Sequence, residues 1–295
     1  MTWQKTYTKE NLVGQLRQMG VVPGDILMIT GDLGKIGWVG KIKPMLETIL
    51  EAMLEGVGET GSIVAVSFTP TYPVGKLRED QVYDKATPTT SGGFSKLLLG
   101  HPKSVRSEHP THSFVAIGAQ SKEILADHNA SDLTYGPIGK IIELGGKMVM
   151  FGTADSKNGI SPCHYAQETE GFSRQNIFKG RRGVYYTEGG EKKLFRLESI
   201  GGCSRGFYKF YSDLIVGKQL SIGQFGNAFS VISPGKPCYE IIRTRIKENP
   251  RYALCDSPMC ATCRGSWLYN KRDFVPFYFR YVINRIKKAI INHKK

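Results

Sequence analysis

The sequence predicts an α/β fold, and three observations support that class. An apolar segment at residues 26–29 is followed by a glycine-rich loop and then by a helix-spaced apolar pattern over residues 42–54. Residues 62–68 are almost continuously apolar, as expected of a strand buried on both faces. A second such run at residues 147–151 ends at Gly152, where open α/β sheets bind their ligands. The order strand, loop, helix, strand is that of a βαβ unit.

The remaining elements follow from local signals. Thr8 can cap a first helix that ends at Gly20, and Ser233 can cap a late helix that runs through Ile246. Between them we expect helices at residues 93–99, 121–127 and 138–144, a helix around residues 207–214, strands at 114–117 and 229–232, and a hairpin pairing 184–187 with 194–197. We therefore predict one compact unit over residues 1–250, with an α+β part from about residue 170, followed by a separate segment over 251–295.

The charge of the chain is strongly positive and unevenly placed. Its 295 residues carry 40 Lys+Arg against 26 Asp+Glu, a net charge of +14. The segment 271–295 holds eight basic residues and one acid, so it supplies half of that net charge. Such a balance favours anionic partners, namely nucleic acid, phosphorylated ligands or anionic lipid.

The polar N-terminus and the length of the apolar runs predict where the protein is located. The polar N-terminus is unlike a signal peptide. Each apolar run is shorter than the roughly 18 residues that a membrane-spanning helix needs. We therefore expect a cytoplasmic protein.

Six cysteines at irregular spacing are expected to be free thiols rather than disulfides. Cys255, Cys260 and Cys263 form a C-x4-C-x2-C pattern, which can ligate zinc or part of an iron–sulfur cluster. A fourth ligand is not adjacent, and Cys203 or Cys238 would have to come from far away in the sequence. We therefore assign no metal ligand at this point.

The most polar short segment is residues 106–113, Arg-Ser-Glu-His-Pro-Thr-His-Ser, which leads directly into an apolar strand. His109 and His112 are candidate catalytic groups, because α/β enzymes place chemistry on polar loops that enter a buried strand. The alternative is a surface loop with two solvated histidines.

Two loops are candidates for cofactor binding. The glycine loop contains Leu33, Gly34, Lys35, Ile36 and Gly37 but matches neither the dinucleotide-binding pattern nor the P-loop. It is either a plain turn or a set of backbone amides that hold an anionic or amide-rich ligand. The irregular segment 70–92 carries a hydroxyl cluster that includes Thr87 and ends near Gly92, and loops of this length are usually functional.

A second polar cluster contains Asn158, Ser161, Cys163, His164, Gln167 and Glu168. His164 and Glu168 are four residues apart, so on a helix they share a face and the carboxylate could orient the imidazole. The alternative is an ordinary surface pair.

Residues 274–292 form a basic amphipathic helix. Its apolar positions are Val275, Tyr278, Phe279, Val282, Ile286 and Ile290, and its basic positions include Arg280, Arg285, Lys287 and Lys288. It is either a packed C-terminal helix with a solvated face or an interfacial helix on the anionic inner face of a membrane.

Taken together, these motifs resemble the aminoglycoside 3-N-acetyltransferase family, whose members have the three-layer antibiotic N-acetyltransferase fold. The segment 106–113 carries the resemblance most specifically. The other matching segments, in family order, are residues 33–40, Tyr83-Asp84, Thr87-Pro88 with Gly92, residues 136–140, the His164 segment and residues 226–228. Two departures are the amide Gln167, where the family has an acid three residues after the histidine, and the absence of a histidine near Thr30.

The resemblance implies that residues 1–250 are an acetyltransferase domain that transfers acetyl from acetyl-CoA directly to a sugar amine. The glycine loop and residues 87–92 would line the CoA groove, with Arg106, Ser107 and Ser113 near it. His164 would be the catalytic histidine. A base near neutrality suits this reaction, because a protonated amine cannot attack a thioester.

Charge guides the choice of substrate. Aminoglycosides are polycations, which a chain at +14 attracts poorly, whereas a nucleotide-linked or lipid-diphosphate-linked amino sugar is an anion. We therefore expect an N-acetyltransferase of surface-polysaccharide biosynthesis, with an aminoglycoside-resistance enzyme as the alternative. A basic nucleic-acid-binding protein and a metal-cluster protein are alternatives of other classes. No nucleic-acid partner is expected, because the charge is terminal and is not interleaved with aromatic residues.

Overall fold

Eleven strands form two sheets in the computed structural model, which describes residues 7–37, 42–152, 159–160, 162–267 and 270–293. In chain order they are β1 Ile26–Gly31, β2 Ser62–Val66, β3 Tyr72–Pro73, β4 Val82–Tyr83, β5 Val105–Arg106, β6 Phe114–Gly118, β7 Lys147–Phe151, β8 Arg182–Glu188, β9 Glu191–Arg196, β10 Ser221–Phe225 and β11 Ala228–Pro234. The main sheet has the order β10-β11-β7-β1-β2-β6-β5, and a smaller sheet joins β3, β8 and β4, with β9 paired to β8.

Nine α-helices accompany the sheets in the described residues. They are α1 Lys9–Gln18, α2 Ile42–Val57, α3 Gly93–Leu99, α4 Ser121–Leu125, α5 Gly136–Glu143, α6 Cys163–Thr169, α7 Phe210–Val216, α8 Gly235–Glu248 and α9 Lys271–His293. A π-helix spans Ala261–Ser266, and 3-10 turns include Leu33–Lys35 and Ser204–Lys209.

The strands of the main sheet alternate their side chains between two apolar cores, which gives the three-layer arrangement. Leu27 and Ile29 of β1 pack with α1, α2 and α3 on one face. Ile26 and Met28 of the same strand pack with α4 to α8 on the opposite face. This alternation is the period of a strand buried on both sides. The predicted α/β class and its three layers are confirmed.

The main sheet is mixed in direction, and this decides where its loops lie. β1 is parallel to both β2 and β7, whereas β6 is antiparallel to β2 and β11 is antiparallel to β7. Phe114, the first residue of β6, pairs with Val66, the last residue of β2. The loop that precedes β6 therefore lies at the same edge of the sheet as the loops that follow β1, β2 and β7.

Several local predictions are confirmed. The Thr8 side chain caps α1 in a reciprocal capping box with Asn11. The bounds of α3 and β7 match the prediction. The β8–β9 hairpin turns at Gly189 and Gly190, which both have positive φ, as a tight hairpin turn requires.

The prediction that Ser233 caps a helix is wrong. Ser233 belongs to β11 and pairs with Met148, and α8 begins at Gly235 without a capping side chain. The strand β10, which the sequence did not predict, pairs with β11 at the edge of the main sheet. The chain after residue 170 thus contributes a hairpin to the small sheet and two strands to the main one. The division near residue 250 stays a prediction.

The C-terminal helix α9 is exposed over most of its described side chains. Phe277 is buried against Gly265 of the π-helix, whereas Val275, Tyr278, Phe279, Ile283, Ile286 and Ile290 are exposed. Within the described ranges, no helix combines the length and the apolar character that crossing a membrane requires.

Candidate active site

The loops that carry the sequence motifs meet at one edge of the main sheet. Asp32, at the start of the glycine loop, donates its backbone N–H to the carbonyl of Phe151 at 3.0 Å. The turn before β11 lies over the same loop, because Asn227 N donates to Ile36 O at 2.7 Å. Gly152 has a φ of +68°, and a Cβ there would meet the side chain of Lys35 at 2.9 Å. Motifs that are far apart in sequence are therefore neighbours at the edge where α/β sheets bind ligands.

The glycine loop is more closed than the sequence predicted. The backbone N–H of Gly34 donates to the Asp32 carboxylate at 3.0 Å, that of Lys35 to Asp32 O, and that of Ile36 to Leu33 O. The expectation that bare amides await a ligand is therefore wrong for these three groups. Leu33 and Ile36 are buried and Gly37 is half-buried against Asn227, so the exposed surface of the loop comes from Asp32, Gly34 and Lys35.

The hydroxyl-rich loop is fastened to the end of β2. Thr90 N donates to Phe68 O at 2.7 Å, and Phe68 N donates to Ser91 Oγ at 2.8 Å. The hydroxyl of Thr87 bonds Asp84 within its own turn, and Gly92 is exposed at the start of α3. A cavity of about 350 Å³ lies outside this loop and is lined by, among others, Lys85, Thr87, Lys96 and Arg106.

Arg106 is committed to the protein itself. It is only 6% exposed, and its guanidinium donates to the carbonyls of Lys85 and Thr87 and to the Ser113 hydroxyl. Burial is the main cause that lowers its pKa. Its donors hold the 85–87 backbone in place. That Arg106 lies near a bound cofactor stays a prediction.

Ser107 and Ser113 are also buried and fully engaged. The Ser107 hydroxyl accepts from Phe114 N at 2.8 Å and contacts His128 Nδ1 at 2.9 Å. The Ser113 hydroxyl donates to Ser67 O at 2.6 Å and accepts from Arg106. Both residues are buried, and their hydroxyls shape the loop. Their predicted place near a bound cofactor stays a prediction.

His109 is fully buried, and its ring organises the loop. Its Nδ1 accepts backbone N–H groups from Thr111 and His112 at 3.3 and 3.1 Å. The ring stacks on His128 at 4.8 Å between centroids. Burial lowers the pKa of His109 to about 4 and that of His128 to about 3, so both rings are neutral near pH 7. A catalytic contact between His109 and a substrate is therefore not what this geometry provides.

His112 and His164 lie on either side of one tyrosine. The Tyr135 ring is edge-on to His112, with centroids 5.4 Å apart, and is stacked with His164 at 5.2 Å. Burial is the main cause that lowers the pKa of both histidines, and for His112 the neighbouring histidines add to it. The two residues keep part of their surface exposed, unlike His109 and His128. They are the accessible members of the histidine cluster.

His164 is the second residue of α6 and has one polar partner. Its Nδ1 lies 2.9 Å from the amide oxygen of Gln167, which places the ring proton on Nδ1 and leaves a lone pair on Nε2. Phe207 packs edge-on to the ring at 4.8 Å, and a Cβ at Gly201 would overlap Nδ1. In the described part of the chain, Nε2 has no hydrogen-bond partner. A neutral imidazole with a free lone pair can accept a proton.

Glu168 does not orient His164, so that prediction is wrong. Both of its carboxylate oxygens accept backbone N–H groups, from Thr134 and Tyr135 at 2.9 Å each. The carboxylate thus fixes the segment that carries the Tyr135 ring, and Gln167 orients the imidazole instead. Successive residues of a helix point in different directions, which is why the amide and the carboxylate serve different partners.

The sequence missed His128, Tyr135, Phe207 and Gly201. Tyr135 directly precedes one of the matched motifs, which is a signal that could have identified it. His128 and Phe207 stand in segments without a motif, and Gly201 has only its glycine pair with Gly202. Asn158, Ser161 and residues 38–40, which belong to the predicted clusters, lie outside the described residues.

Comparison with known proteins identifies the family of this chain. The family described as aminoglycoside 3-N-acetyltransferase matches residues 28–247, about three quarters of the chain. The chain belongs to this family. Among curated relatives, aminoglycoside N(3)-acetyltransferase III of Salmonella sp is 29% identical over 177 residues, 55% of this chain and 60% of the relative. Aminoglycoside N(3)-acetyltransferase VII of Streptomyces paromomycinus is 27% identical over 178 residues, 54% of this chain and 60% of the relative. The match thus spans 60% of these relatives' length.

Solved structures show the same fold. A binary complex of AAC-IIIb with CoASH has a TM-score of 0.70 at 20% identity, covering 86% of this chain and 99% of that one. The apoenzyme of aminoglycoside acetyltransferase AAC(3)-IVa has a TM-score of 0.71 at 20% identity, covering 89% and 97%.

Proposed function

We propose that the protein is an acetyl-CoA-dependent N-acetyltransferase that acetylates an amine of an aminoglycoside. The observation that carries the proposal is His164, a neutral, partly exposed imidazole with a free Nε2 lone pair at the ligand-binding edge of this family's fold. Family membership over residues 28–247 supports the aminoglycoside as acceptor.

The proposed mechanism is direct transfer. Nε2 of His164 removes a proton from the ammonium group, and the amine attacks the thioester carbonyl of acetyl-CoA. The nitrogen of the tetrahedral intermediate gives up a second proton as the C–S bond breaks to leave the amide. The departing CoA thiolate takes up one proton, so the transfer releases one net proton. Gln167 keeps the ring in the required tautomer, and the Tyr135 and Phe207 rings hold its plane. His112, on the other side of Tyr135, is the second partly exposed histidine of the cluster.

For the cofactor we propose a position along the exposed part of the glycine loop and the 87–92 loop. The two loops are adjacent, since a Cβ at Gly93 would lie 3.9 Å from the Leu33 side chain. Lys85 and Lys96 line the neighbouring cavity. Lys85 is ion-paired with Glu108 at 2.8 Å, so Lys96 is the better candidate to offer positive charge to the phosphates of CoA. The solved AAC-IIIb structure with this fold was obtained with CoASH.

The decisive experiment follows thiol release from acetyl-CoA with a panel of amines. We expect turnover with an aminoglycoside such as sisomicin or apramycin, and a rise in melting temperature on adding acetyl-CoA, because a ligand of the native state stabilises it. Absence of both the thermal shift and thiol release with every amine would refute the proposal.

A second acceptor class is favoured by one observation, the net charge of +14. An anionic amino sugar, linked to a nucleotide or a lipid diphosphate, would be attracted where a polycation is repelled. Glu168, the carboxylate nearest in sequence to His164, is occupied by backbone N–H groups and so offers little to a cationic substrate. A kcat/KM for a nucleotide-linked amino sugar above that for any aminoglycoside would establish this class and displace the first.

We also propose a peripheral contact between α9 and anionic membrane. Phe279 and Ile286 are exposed by 66% and 53%, and Arg280, Arg285 and Lys287 lie on the same helix. Each basic residue near an anionic surface contributes about 1 kcal/mol, so attachment should weaken with salt. The protein should co-sediment with phosphatidylserine vesicles at low salt, and the Phe279→Ser/Ile286→Ser variant should not. Co-sedimentation that survives in the variant would refute a role for this face.

A further inference from the structure

Four cysteine thiols from distant parts of the chain meet beside the candidate active site. Cys203 begins the 3-10 turn Ser204–Lys209, Cys255 follows α8, and Cys260 and Cys263 lie at the start of the π-helix Ala261–Ser266. All four Sγ atoms lie within 4.8 Å of one another. Cys203 is thus the fourth member that the C-x4-C-x2-C pattern lacked. Cys238 is a residue of α8 and is buried in the core, outside this group.

The spacing of the sulfurs fits a single tetrahedral ion. Bonds of about 2.3 Å from zinc to sulfur put the four sulfurs of a tetrahedron about 3.8 Å apart. Here Cys203 Sγ lies 3.2 Å from Cys263 Sγ and 3.7 Å from Cys260 Sγ. These distances are well beyond the length of a disulfide bond, and all six cysteines of the chain are free. A cluster of several irons would hold its ligating sulfurs farther apart.

Hydrogen-bond donors and cationic side chains lie close to the sulfurs. Cys263 N donates to Cys260 Sγ at 3.5 Å, so the Cys260 sulfur accepts a hydrogen bond from the backbone of Cys263. Trp267 packs in the same cluster, and its buried indole N–H has no acceptor among the described residues. Arg264 donates to Cys255 O at 2.7 Å, which holds the Cys255 loop and places a cation near the sulfurs. Four arginines and two aspartates line the adjoining cavity of about 410 Å³, which Cys263 also borders, and one of these arginines, Arg251, is ion-paired with Asp273.

We propose that Cys203, Cys255, Cys260 and Cys263 coordinate one Zn²⁺ ion as a structural site. Each thiol loses its proton on binding, so one Zn²⁺ replaces four protons and the site carries a net charge of −2. The nearby arginines offset that charge. The apolar shell of Leu254, Trp267 and Phe172 keeps the site closed.

The site has a second consequence, which rests on the proposed function. Gly201 and Gly202 precede Cys203 and lie against the His164–Gln167 pair, and Gly202 is also in contact with the Trp267 ring. Coordination of Cys203 together with Cys263 therefore fixes the Gly201–Gly202 segment, which lies against the catalytic imidazole, and Trp267, which lies against Gly202. Zinc would hold the segment 251–267 against α6 and so position His164.

Metal content of the full chain, purified without added metal, tests the site directly. We expect about one zinc per chain, and after exchange with Co²⁺ the visible absorption of a tetrahedral thiolate complex. Cys260→Ala should remove the metal, whereas Cys238→Ala, a buried cysteine outside the cluster, should retain it. Should Cys260→Ala fail to fold, zinc release from the wild-type chain on titrating thiols with a mercurial gives the same information. Zinc well below one per chain with no uptake of Co²⁺, or iron in its place with visible colour, would overturn the proposal.

The role of the ion is separated from its presence by steady-state kinetics. Cys260→Ala should lower kcat on the order of 10-fold with every amine, because small displacements of a catalytic group are costly, while KM for acetyl-CoA stays unchanged. An unchanged kcat in the metal-free variant would overturn the positioning role. Zinc in a chain that acetylates nothing would leave the metal site standing and refute the proposed function instead.

Discussion

The loop at residues 106–113 and the helix α6 carry similar side chains, yet the structure uses them in opposite ways. In the loop, the ring of His109, the guanidinium of Arg106 and two serine hydroxyls are buried and bonded to the protein. In α6, His164 keeps an exposed edge and has Gln167 as its one polar partner among the residues that the structure describes. The loop is the more specific sequence motif, but α6 is the better candidate for chemistry.

The difference shows that a dense polar motif can serve to stabilise a loop at the edge of the sheet rather than to carry out the reaction there. Buried polar groups are costly unless they are hydrogen-bonded, so a loop that enters a buried strand needs many partners of its own. A catalytic group instead needs one atom left free for the substrate. Substitutions in the two regions should therefore affect different quantities.

The largest effect is expected for His164→Asn. Removal of the base should lower kcat by a factor on the order of 10²–10⁴, with little change in melting temperature. His128→Asn, the same substitution at a buried ring, should lower stability while the folded fraction keeps its turnover. Thiol release and thermal unfolding on both variants measure this. Near-normal turnover by His164→Asn would make His112 the base.

Acid should destabilise the protein through the loop histidines. His109 and His128 have folded-state pKa values of about 4 and 3, below the unfolded value of about 6.5. Above pH 6.5 both states are neutral and stability is full, whereas below it the unfolded state gains protons that the folded state does not. At pH 5 this costs about 2 kcal/mol for each ring.

Urea unfolding at pH 7 and pH 5 measures that loss, and His128→Gln should remove about half of it. A free energy of unfolding that does not change between these pH values would contradict the burial of the two rings. His164 also has a lowered pKa, so the acid limb of kcat/KM is expected below pH 6.5.

Arg106→Lys should have an effect of intermediate size, and this effect should be on stability and not on turnover. The lysine cannot reproduce the bonds to Ser113 Oγ, Lys85 O and Thr87 O, and a buried carbonyl without a donor costs about 1–3 kcal/mol. We expect a loss of about 2 kcal/mol in the free energy of unfolding. Arg78→Lys, at an exposed arginine that is ion-paired with Asp80, serves as the matched control and should change nothing measurable. An equal change in the free energy of unfolding for the two substitutions would contradict the supporting role of Arg106.

The smallest effect is expected for Glu168→Gln. The amide keeps one acceptor for the backbone N–H groups of Thr134 and Tyr135 but loses the charge, at a cost of about 1 kcal/mol in stability. Turnover should fall less than about 10-fold, because the carboxylate acts through the Tyr135 segment rather than on the imidazole. A loss as large as that of His164→Asn would show that Glu168 takes part in proton transfer.

The sequence was most informative where local periodicity decides structure. The capping box at Thr8, the strand Lys147–Phe151 and the helix Gly93–Leu99 follow from patterns within a few residues. Resemblance placed the motifs in order, but it could not show that β6 runs antiparallel to β2. That direction brings residues 106–113 to the edge shared with His164.

The partners of individual side chains were beyond the sequence. Gln167 and Glu168 are adjacent, and which of them faces the imidazole depends on the rotation of α6 against Tyr135 and Gly201. The fourth cysteine, Cys203, comes from a distant part of the chain and lies 3.2 Å from Cys263. The packing of Trp267 on Gly202 brings these two segments together. Such contacts are properties of tertiary packing, which periodicity does not encode.

The interior strand β7 pairs with strands that come from much earlier and much later parts of the chain. Lys147 pairs with Leu27 of β1, which is made long before it, and Phe151 pairs with Ser230 of β11, which is made long after it. Ser230 is synthesised 79 residues after Phe151. At about 5–20 residues per second on the ribosome, one edge of β7 therefore stays unpaired for about 4–16 s. An unpaired apolar edge is a site for aggregation. Slower growth at low temperature or an excess of chaperone should therefore raise the soluble yield of the recombinant chain, and chains truncated before β11 should accumulate as inclusion bodies.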